Sequence, residues 1–261
     1  MFQVSVLASG SKGNSLLVRS GETAIILDAG ISAKRIFAAL DSFRIDKEMV
    51  QAILISHEHS DHCGSAGALS RLLKRPVYIT RDTFSYSAHK LGNLHERIEF
   101  FRSGEEFRIG EIICEPFKSS HDAVDSCNFI FSSQVMQGRK LGVATDLGYP
   151  MKLSLTKLSH STTLVLESNH DEQMLIDGPY EWHLKQRVKS NHGHLSNKQA
   201  VGVISQIYHT GLENLVLAHL SEVNNHPGLA RRTMQEYLDG IRSDVALYVA
   251  SPSEPTPLID I

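Results

Sequence analysis

Four side chains able to bind a metal, His57, His59, Asp61 and His62, fall within six residues in Ser56-His57-Glu58-His59-Ser60-Asp61-His62, directly after the apolar run Ala52-Ile53-Leu54-Ile55. The pattern reads as a buried strand that empties its ligands into a loop at its carboxyl end. As a plain polar loop, the run would crowd groups that titrate near neutral pH with nothing to hold them together; a cation in their midst supplies what is missing. Imidazole nitrogens and a carboxylate suit zinc, with manganese and iron as competitors. The alternation His57, Glu58, His59 lets two imidazoles face one ion while Asp61 and His62 turn toward another.

The motif His-x-His-x-Asp-His resembles the signature of the metallo-β-lactamase fold hydrolases, and further residues stand in that family's order. Asp28, in Ile25-Ile26-Leu27-Asp28-Ala29-Gly30, is similar to the early strand-end aspartate that braces the metal loop. His121 in Ser119-Ser120-His121-Asp122, Asp146 in Val143-Ala144-Thr145-Asp146 and His219 in Leu215-Val216-Leu217-Ala218-His219 each close a short apolar strand, as the remaining ligand stations do. Singly, a strand-end histidine is more often a hydrogen-bonded surface residue; the ordered set carries the assignment. The resemblance implies that His57, His59 and His121 hold one metal, that Asp61, His62 and His219 hold a second, and that Asp146 bridges them. Two divalent ions, zinc or manganese with iron also possible, are the implied cofactors. His59 stands where a glutamate would mark the redox di-iron branch.

Three more segments, Leu7-Ala8-Ser9-Gly10-Ser11-Lys12-Gly13-Asn14-Ser15, Leu166-Glu167-Ser168-Asn169-His170-Asp171 and Gly193-His194-Leu195-Ser196-Asn197, resemble the small single-domain bacterial WalJ (YycJ) group. That likeness runs from about Val4 to about Ala250. It implies an α/β fold, the αββα four-layer sandwich of the metallo-β-lactamase type, with both sheets delivering ligands to one rim.

Local patterning is compatible with that architecture. A hairpin-like pair, Val4 to Leu7 and Ser15 to Arg19, precedes the strand ending at Asp28, and Ile36, Phe37 and Leu40 recur at helical spacing in Ala33 to Ser42, with Ser32 as N-cap. Behind the metal loop, Gly64-Ser65-Ala66-Gly67 opens a helix whose expected buried face is Ala68, Leu69, Leu72 and Leu73. Short strands are expected at Val77 to Thr80, Ile98 to Phe101, Ile112 to Phe117, Phe129 to Ser132, Lys140 to Ala144, Leu164 to Leu166, Leu215 to Ala218 and Val245 to Val249. Helices are expected at Met151 to Leu158, Tyr180 to Ser190, Asn197 to Tyr208 and Leu229 to Ile241. With 261 residues, 41% of them hydrophobic and 21% charged, the chain suits one large domain, residues 1–250, followed by a Pro-rich tail, 251–261, expected to be extended and partly mobile. Cys63, Cys114 and Cys127 make no disulfide framework and sit in or beside apolar segments. The first residues lack the pattern of a signal peptide, and no apolar stretch reaches the ~18 residues that span a bilayer. The expectation is a cytoplasmic protein with no membrane partner.

Two cations with mixed His and Asp ligands lower the pKa of a shared water and stabilise oxygen charge, which makes a hydrolase. If Asp61 binds one ion only, its second oxygen is left to orient that water or accept its proton, so Asp61 is assigned a catalytic part. The substrate turns on Gly193-His194-Leu195-Ser196-Asn197, which resembles the extra His-x-Ser station of the phosphodiesterase branches. There His194 would bond a phosphoryl oxygen or protonate the leaving alkoxide, with Ser196 at the helix start beside the phosphate. Ser196 as a plain N-cap, with His194 a bystander, is the competing account. Ser11 and Asn14 in the Gly/Ser loop, and Asn169 and His170 after a strand end, are the other candidate substrate contacts, each weighed against simple turn or loop hydrogen bonding. The net charge of −3 advertises no nucleic acid, so any affinity must come from the metals and from local groups such as Lys185, Arg187 and Lys189, Arg231 and Arg232, or Arg71, Lys74 and Arg75. The expected activity is phosphodiester hydrolysis, foremost as an exonuclease on DNA or RNA ends, with nucleic acid as partner and help from a protein partner possible in so short a chain. A hydrolase of a small thioester, lactone or cyclic phosphodiester is the alternative, and a non-catalytic regulatory or assembly protein is the alternative of another class.

Overall fold

The computed structural model describes residues 1–261. Strands β1 (Phe2–Ala8), β2 (Ser15–Ser20), β3 (Thr23–Leu27), β4 (Val50–Leu54), β5 (Val77–Ile79) and β6 (Ile98–Phe100) lie side by side in one sheet. A second sheet holds β7 (Phe107–Ile109), β8 (Ile112–Lys118), β9 (Cys127–Ser133), β10 (Lys140–Ala144), β11 (Thr163–Glu167), β12 (Asn214–Ala218) and β13 (Ala246–Val249), also in chain order. The last strand, β14 (Ile259–Asp260), returns to pair antiparallel with β1 and completes the first sheet.

Alternation along each strand explains the layers. In β3, Ile25 and Leu27 face the interior between the sheets, whereas Ala24 and Ile26 face outward onto helices. In β12, Val216 and Ala218 face that same interior, and Leu215 and Leu217 face out. Strands covered on both faces read as continuous apolar runs, as these do. Helices α1 (Ala33–Ser42), α2 (Ser60–Cys63), α3 (Ala66–Leu73) and α4 (Arg81–Leu91) belong to the first half, and α1 and α3 cover the outer face of its sheet with Ile36, Leu40, Leu69 and Leu73. Of α5 (Lys152–Leu158), α6 (Glu172–Asp177), α7 (Trp182–Lys189), α8 (Asn197–Ile207) and α9 (Pro227–Gly240), the fifth, eighth and ninth cover the second sheet. The result is the αββα sandwich. No helix is long and apolar enough to cross a membrane.

From β3 to β6, and again from β10 to β13, neighbouring strands run parallel. Their carboxyl ends therefore open on one rim, the place where parallel sheets leave room for a ligand.

Three expectations need correction. The apolar face of α3 is Ala66, Gly67, Leu69, Ser70 and Leu73, while Ala68 is exposed and Leu72 is 62% exposed. The face is turned because Gly67 abuts α4, where a Cβ on it would lie 1.8 Å from the Leu91 carbonyl oxygen. Helix α4 itself and strand β7 were not expected. Residues 251–261 are part of the domain and no loose tail: Thr256 and Ile259 are buried, and Ile261 is 2% exposed. Thr256 Oγ1 accepts from the Val6 N–H at 3.0 Å, and the Ile261 N–H donates to the Phe2 carbonyl at 2.9 Å.

Deleting residues 256–261 should therefore lower stability by about 3 kcal/mol or more, the scale for emptying large buried side chains. An unchanged urea midpoint in the truncated chain would show that the segment is only loosely attached.

Candidate metal centre

The loop after β4 is short and over-determined. Ser56 donates from its backbone N–H to Asp28 Oδ1 at 2.9 Å and from its hydroxyl to Asp28 Oδ2 at 2.8 Å. His59 is extended and forms the N-cap of α2, whose first turn then carries Asp61 and His62. This change from extended chain to helix keeps the rings together, with His57 4.6 Å from His59 and 4.1 Å from His62 between centroids. Gly30 lets the loop come close: a Cβ there would lie 1.7 Å from the Asp61 carbonyl oxygen.

Two donor groups result. His57 Nε2 lies 3.0 Å from His59 Nδ1, which lies 3.3 Å from His121 Nε2. Asp61 Oδ2 lies 3.5 Å from His62 Nε2 and 3.9 Å from His219 Nε2. Donors around a tetrahedral zinc with bonds of ~2.05 Å are about 3.3 Å apart, so both groups have the span of a metal site. Asp146 sits between them, with Oδ1 3.6 Å from His121 Nε2 and 3.6 Å from His219 Nε2, and Oδ2 3.3 Å from His62 Nε2. All seven residues that the family likeness singled out are thus gathered at one point. Three strand-end residues, Asp28, Asp146 and His219, have left-handed backbones, with φ of 61°, 53° and 55°. Such conformations are uncommon outside glycine and mark places where the surroundings impose the geometry.

The electrostatics set buried carboxylates against buried imidazoles. Burial, aided by the adjoining imidazoles, holds His57 well below its ordinary pKa, and burial lowers His121 too. Burial also pushes His62 and His219 down, but Asp146 and the other carboxylates outweigh it, so His62 ends well above its usual range and His219 at about 10. Burial would raise Asp61 and Asp146, yet the imidazoles keep both ionised, below the usual carboxylate range. Ionised carboxylates in a dry pocket require positive charge among them. Asp146 Oδ2 and His219 Nε2 are buried without any hydrogen-bond partner. Both atoms face the centre, and a divalent ion there would satisfy them.

Behind the donors stand two further carboxylates. Asp28 Oδ2 is 2.8 Å from His62 Nδ1 and presents His62 Nε2 to the centre. Glu167, at the end of β11 and fully buried, does this for two rings at once: its Oε1 lies 2.8 Å from both His194 Nδ1 and His219 Nδ1. It also accepts backbone N–H bonds from Asp146, Leu147 and Leu195. Burial alone would raise its pKa, but His194 and His219 bring it down to about 2. Sequence reasoning gave Glu167 no role, because its only signal was an acidic residue closing a fully apolar strand.

The other candidates fall into two groups. Ser11, Asn169 and His194 line the cavity above the donors, a space of about 220 Å³. His194 is 18% exposed there, with its Nδ1 turned back to Glu167. By contrast, Asn14 is spent inside its own loop, accepting from the Gly10 N–H at 2.9 Å and lying 3.1 Å from His62 Nε2, so the Gly/Ser loop clamps the metal loop and offers few amides to an anion. Ser196 is the N-cap of α8 in a capping box with Gln199. His170 is 2% exposed and lies outside the cavity lining. Most of the basic residues are also engaged: Arg187 pairs with Asp122, and Lys185, Arg71, Arg75 and Arg231 donate to the carbonyls of Ile176, Leu91, Glu48 and Leu247.

The profile described as the metallo-beta-lactamase superfamily matches residues 8–130. "Exodeoxyribonuclease YycJ" of Bacillus anthracis is 34% identical over 97% of both chains. "Exodeoxyribonuclease WalJ" of Streptococcus pneumoniae serotype 2 is 33% identical over 100% of this chain and 98% of that one. Among solved structures, the metallo-beta-lactamase fold protein YhfI from Bacillus subtilis superposes with a TM-score of 0.72 at 14% identity, covering 98% of each chain. The fold and the donor set are those of a metal-dependent hydrolase, and the chain belongs to the metallo-β-lactamase superfamily. Within it, full-length similarity places the chain in the group that includes YycJ and WalJ.

Two outcomes are expected. Glu167→Gln turns an amide N–H₂ toward donors that need an acceptor, so metal affinity should fall about 10- to 100-fold, the usual worth of a group that orients a ligand histidine; competition with a chromophoric chelator measures it. His170, which burial pushes down from 6.5 to about 4, is neutral when folded and protonates more readily unfolded. Its contribution is intact above pH 6.5 and declines as pH falls toward 4, by about 3 kcal/mol in all. His170→Leu should show a flatter fall in urea midpoint between pH 7 and 5 than the parent chain; an identical fall would show that His170 does not set it.

Proposed function

We propose that the chain is a two-metal phosphodiesterase of exonuclease type, acting on DNA or RNA ends in the cytoplasm, with DNA supported by the names of its full-length relatives. His194 carries this reading. It belongs to neither donor triad, yet its ring is fixed by Glu167 at 2.8 Å and stands 5.0 Å from the His219 ring and 5.1 Å from the His121 ring. An alkoxide is a poor leaving group and needs a proton; a thiolate does not. A positioned imidazole beside the donors is what phosphodiester cleavage requires and thioester cleavage can do without.

His57, His59 and His121 would hold one ion, Asp61, His62 and His219 the other, with Asp146 shared and zinc, manganese or iron as candidates. Bound there, two divalent ions would supply a water ionised near neutral pH and stabilise the oxygen charge of an in-line displacement. The protein's own groups do the rest. Asp61 is 26% exposed against 4% for Asp146, so its free oxygen reaches the cavity and can accept the proton of the attacking water. With Glu167 accepting from Nδ1, His194 keeps Nε2 for the substrate and donates its proton there to the leaving oxygen. Ser11 and Asn169 offer polar contacts to the phosphate or sugar on the cavity wall.

His194→Ala should retain metal while slowing release of end nucleotides from labelled single strands by about 10²-fold or more, and Asp146→Asn should lower the content of both ions together by elemental analysis. A wild-type protein that cleaves thioesters and no phosphodiester would replace this reading with the small-substrate alternative.

A further inference from the structure

The cavity over the metal donors is polar on every side but one. Its only apolar lining residues are Tyr180, Leu184 and Val188, and all three come from the segment that enters and forms α7. Leu184, Arg187 and Val188 follow the i, i+3, i+4 spacing of a single helix face, so this face is the cavity wall. The wall is pinned in place, since Arg187 pairs with Asp122 beside His121 and Lys185 Nζ donates to the Ile176 carbonyl at 2.6 Å. Metal ions and polar side chains account for a phosphate and a sugar. They leave unexplained a half-buried tyrosine ring and a leucine facing the same space.

The outer side of α7 carries a second unexplained aromatic. Trp182, the chain's only tryptophan, is 74% exposed, more than any other large apolar side chain. It lies two residues from Leu184, about 200° around the helix, and so shares the outer face with Lys185 and Lys189. A strand that starts in the cavity and leaves over the amino end of α7 passes from Tyr180, on the cavity lining, to Trp182, the first residue of the helix.

We infer that this wall is a nucleobase-stacking seat for the unpaired end of a nucleic acid strand: Tyr180 with Leu184 holds the base next to the scissile phosphate, and Trp182 stacks a base further along. The inference rests on the phosphodiesterase reading above. Every base has a stackable face, so such a seat is tolerant of sequence. It also favours unpaired ends, because a base seated against Tyr180 has to leave its own stack and its partner base.

The test compares a single-stranded phosphorothioate oligonucleotide with an abasic strand of equal length on the metal-loaded protein, followed by cleavage of the corresponding phosphodiester strands. Emission from Trp182 should be quenched by the base-bearing strand and not by the abasic one. The wild type should prefer the base-bearing strand in kcat/KM, and Tyr180→Ala should reduce that preference about tenfold or more through KM, within the range of aromatic stacking. Tyr180→Phe, which keeps the ring, should restore it. If both strands are cleaved equally well and leave the fluorescence unchanged, the seat is refuted while the phosphodiesterase reading stands. If the wild type neither binds nor cleaves either strand, both fall.

Discussion

Buried carboxylates with imidazoles set against them organise this molecule. Asp28, Asp146 and Glu167 each stand at the carboxyl end of a parallel strand, and each is nearly or fully buried. Leaving such groups ionised in a dry interior is costly unless every lone pair has a partner. The fold supplies them from both halves: the Ser56 N–H and hydroxyl and the His62 ring to Asp28, three backbone N–H groups and two imidazoles to Glu167. Asp146 alone is left with an unpartnered oxygen, and it is the residue lying between the two donor groups. With Asp28 and Glu167 saturated, the unpartnered Asp146 Oδ2 and His219 Nε2 point to where a cation belongs.

The two sheets meet at this rim through the Gly/Ser loop. Ser9 Oγ accepts from the His219 N–H at 2.7 Å, and the Asn14 N–H donates to the Asp61 carbonyl at 2.8 Å. A loop whose glycines and hydroxyls suggest an anion cradle thus serves as a strap between a donor from the second sheet and one from the first. The left-handed backbone at His219 and the close approach at Gly30 both follow from that strapping.

What was legible in the sequence followed from whether a residue's partner is local. The bounds of α1 and β10 were read correctly because Ser32 caps the one and an apolar run defines the other. The seven donor residues were legible because their chemistry is rare and their order resembles a family. Helix α4 was not, since it buries Thr83, Ser87 and Leu91, a face with almost no apolar signal, and starts at a Thr80 cap that reads as the end of a strand. The return of 251–261 to β1 was hidden because its prolines suggest a loose exit, while its pairing depends on a strand more than two hundred residues away. Glu167 escaped for a related reason: nothing nearby in sequence reveals that two histidines, 27 and 52 residues further on, converge on it.

Glu167 joins the donor set to the cavity above it. One carboxylate oxygen serves a metal donor, His219, and a non-donor, His194, so the two rings cannot change orientation independently. His219 Nε2 faces Asp61 and Asp146 while the His194 ring lines the cavity, so this one carboxylate orients one ring toward the donors and the other toward the space above them. A change at Glu167 therefore reaches both the donor set and the cavity wall.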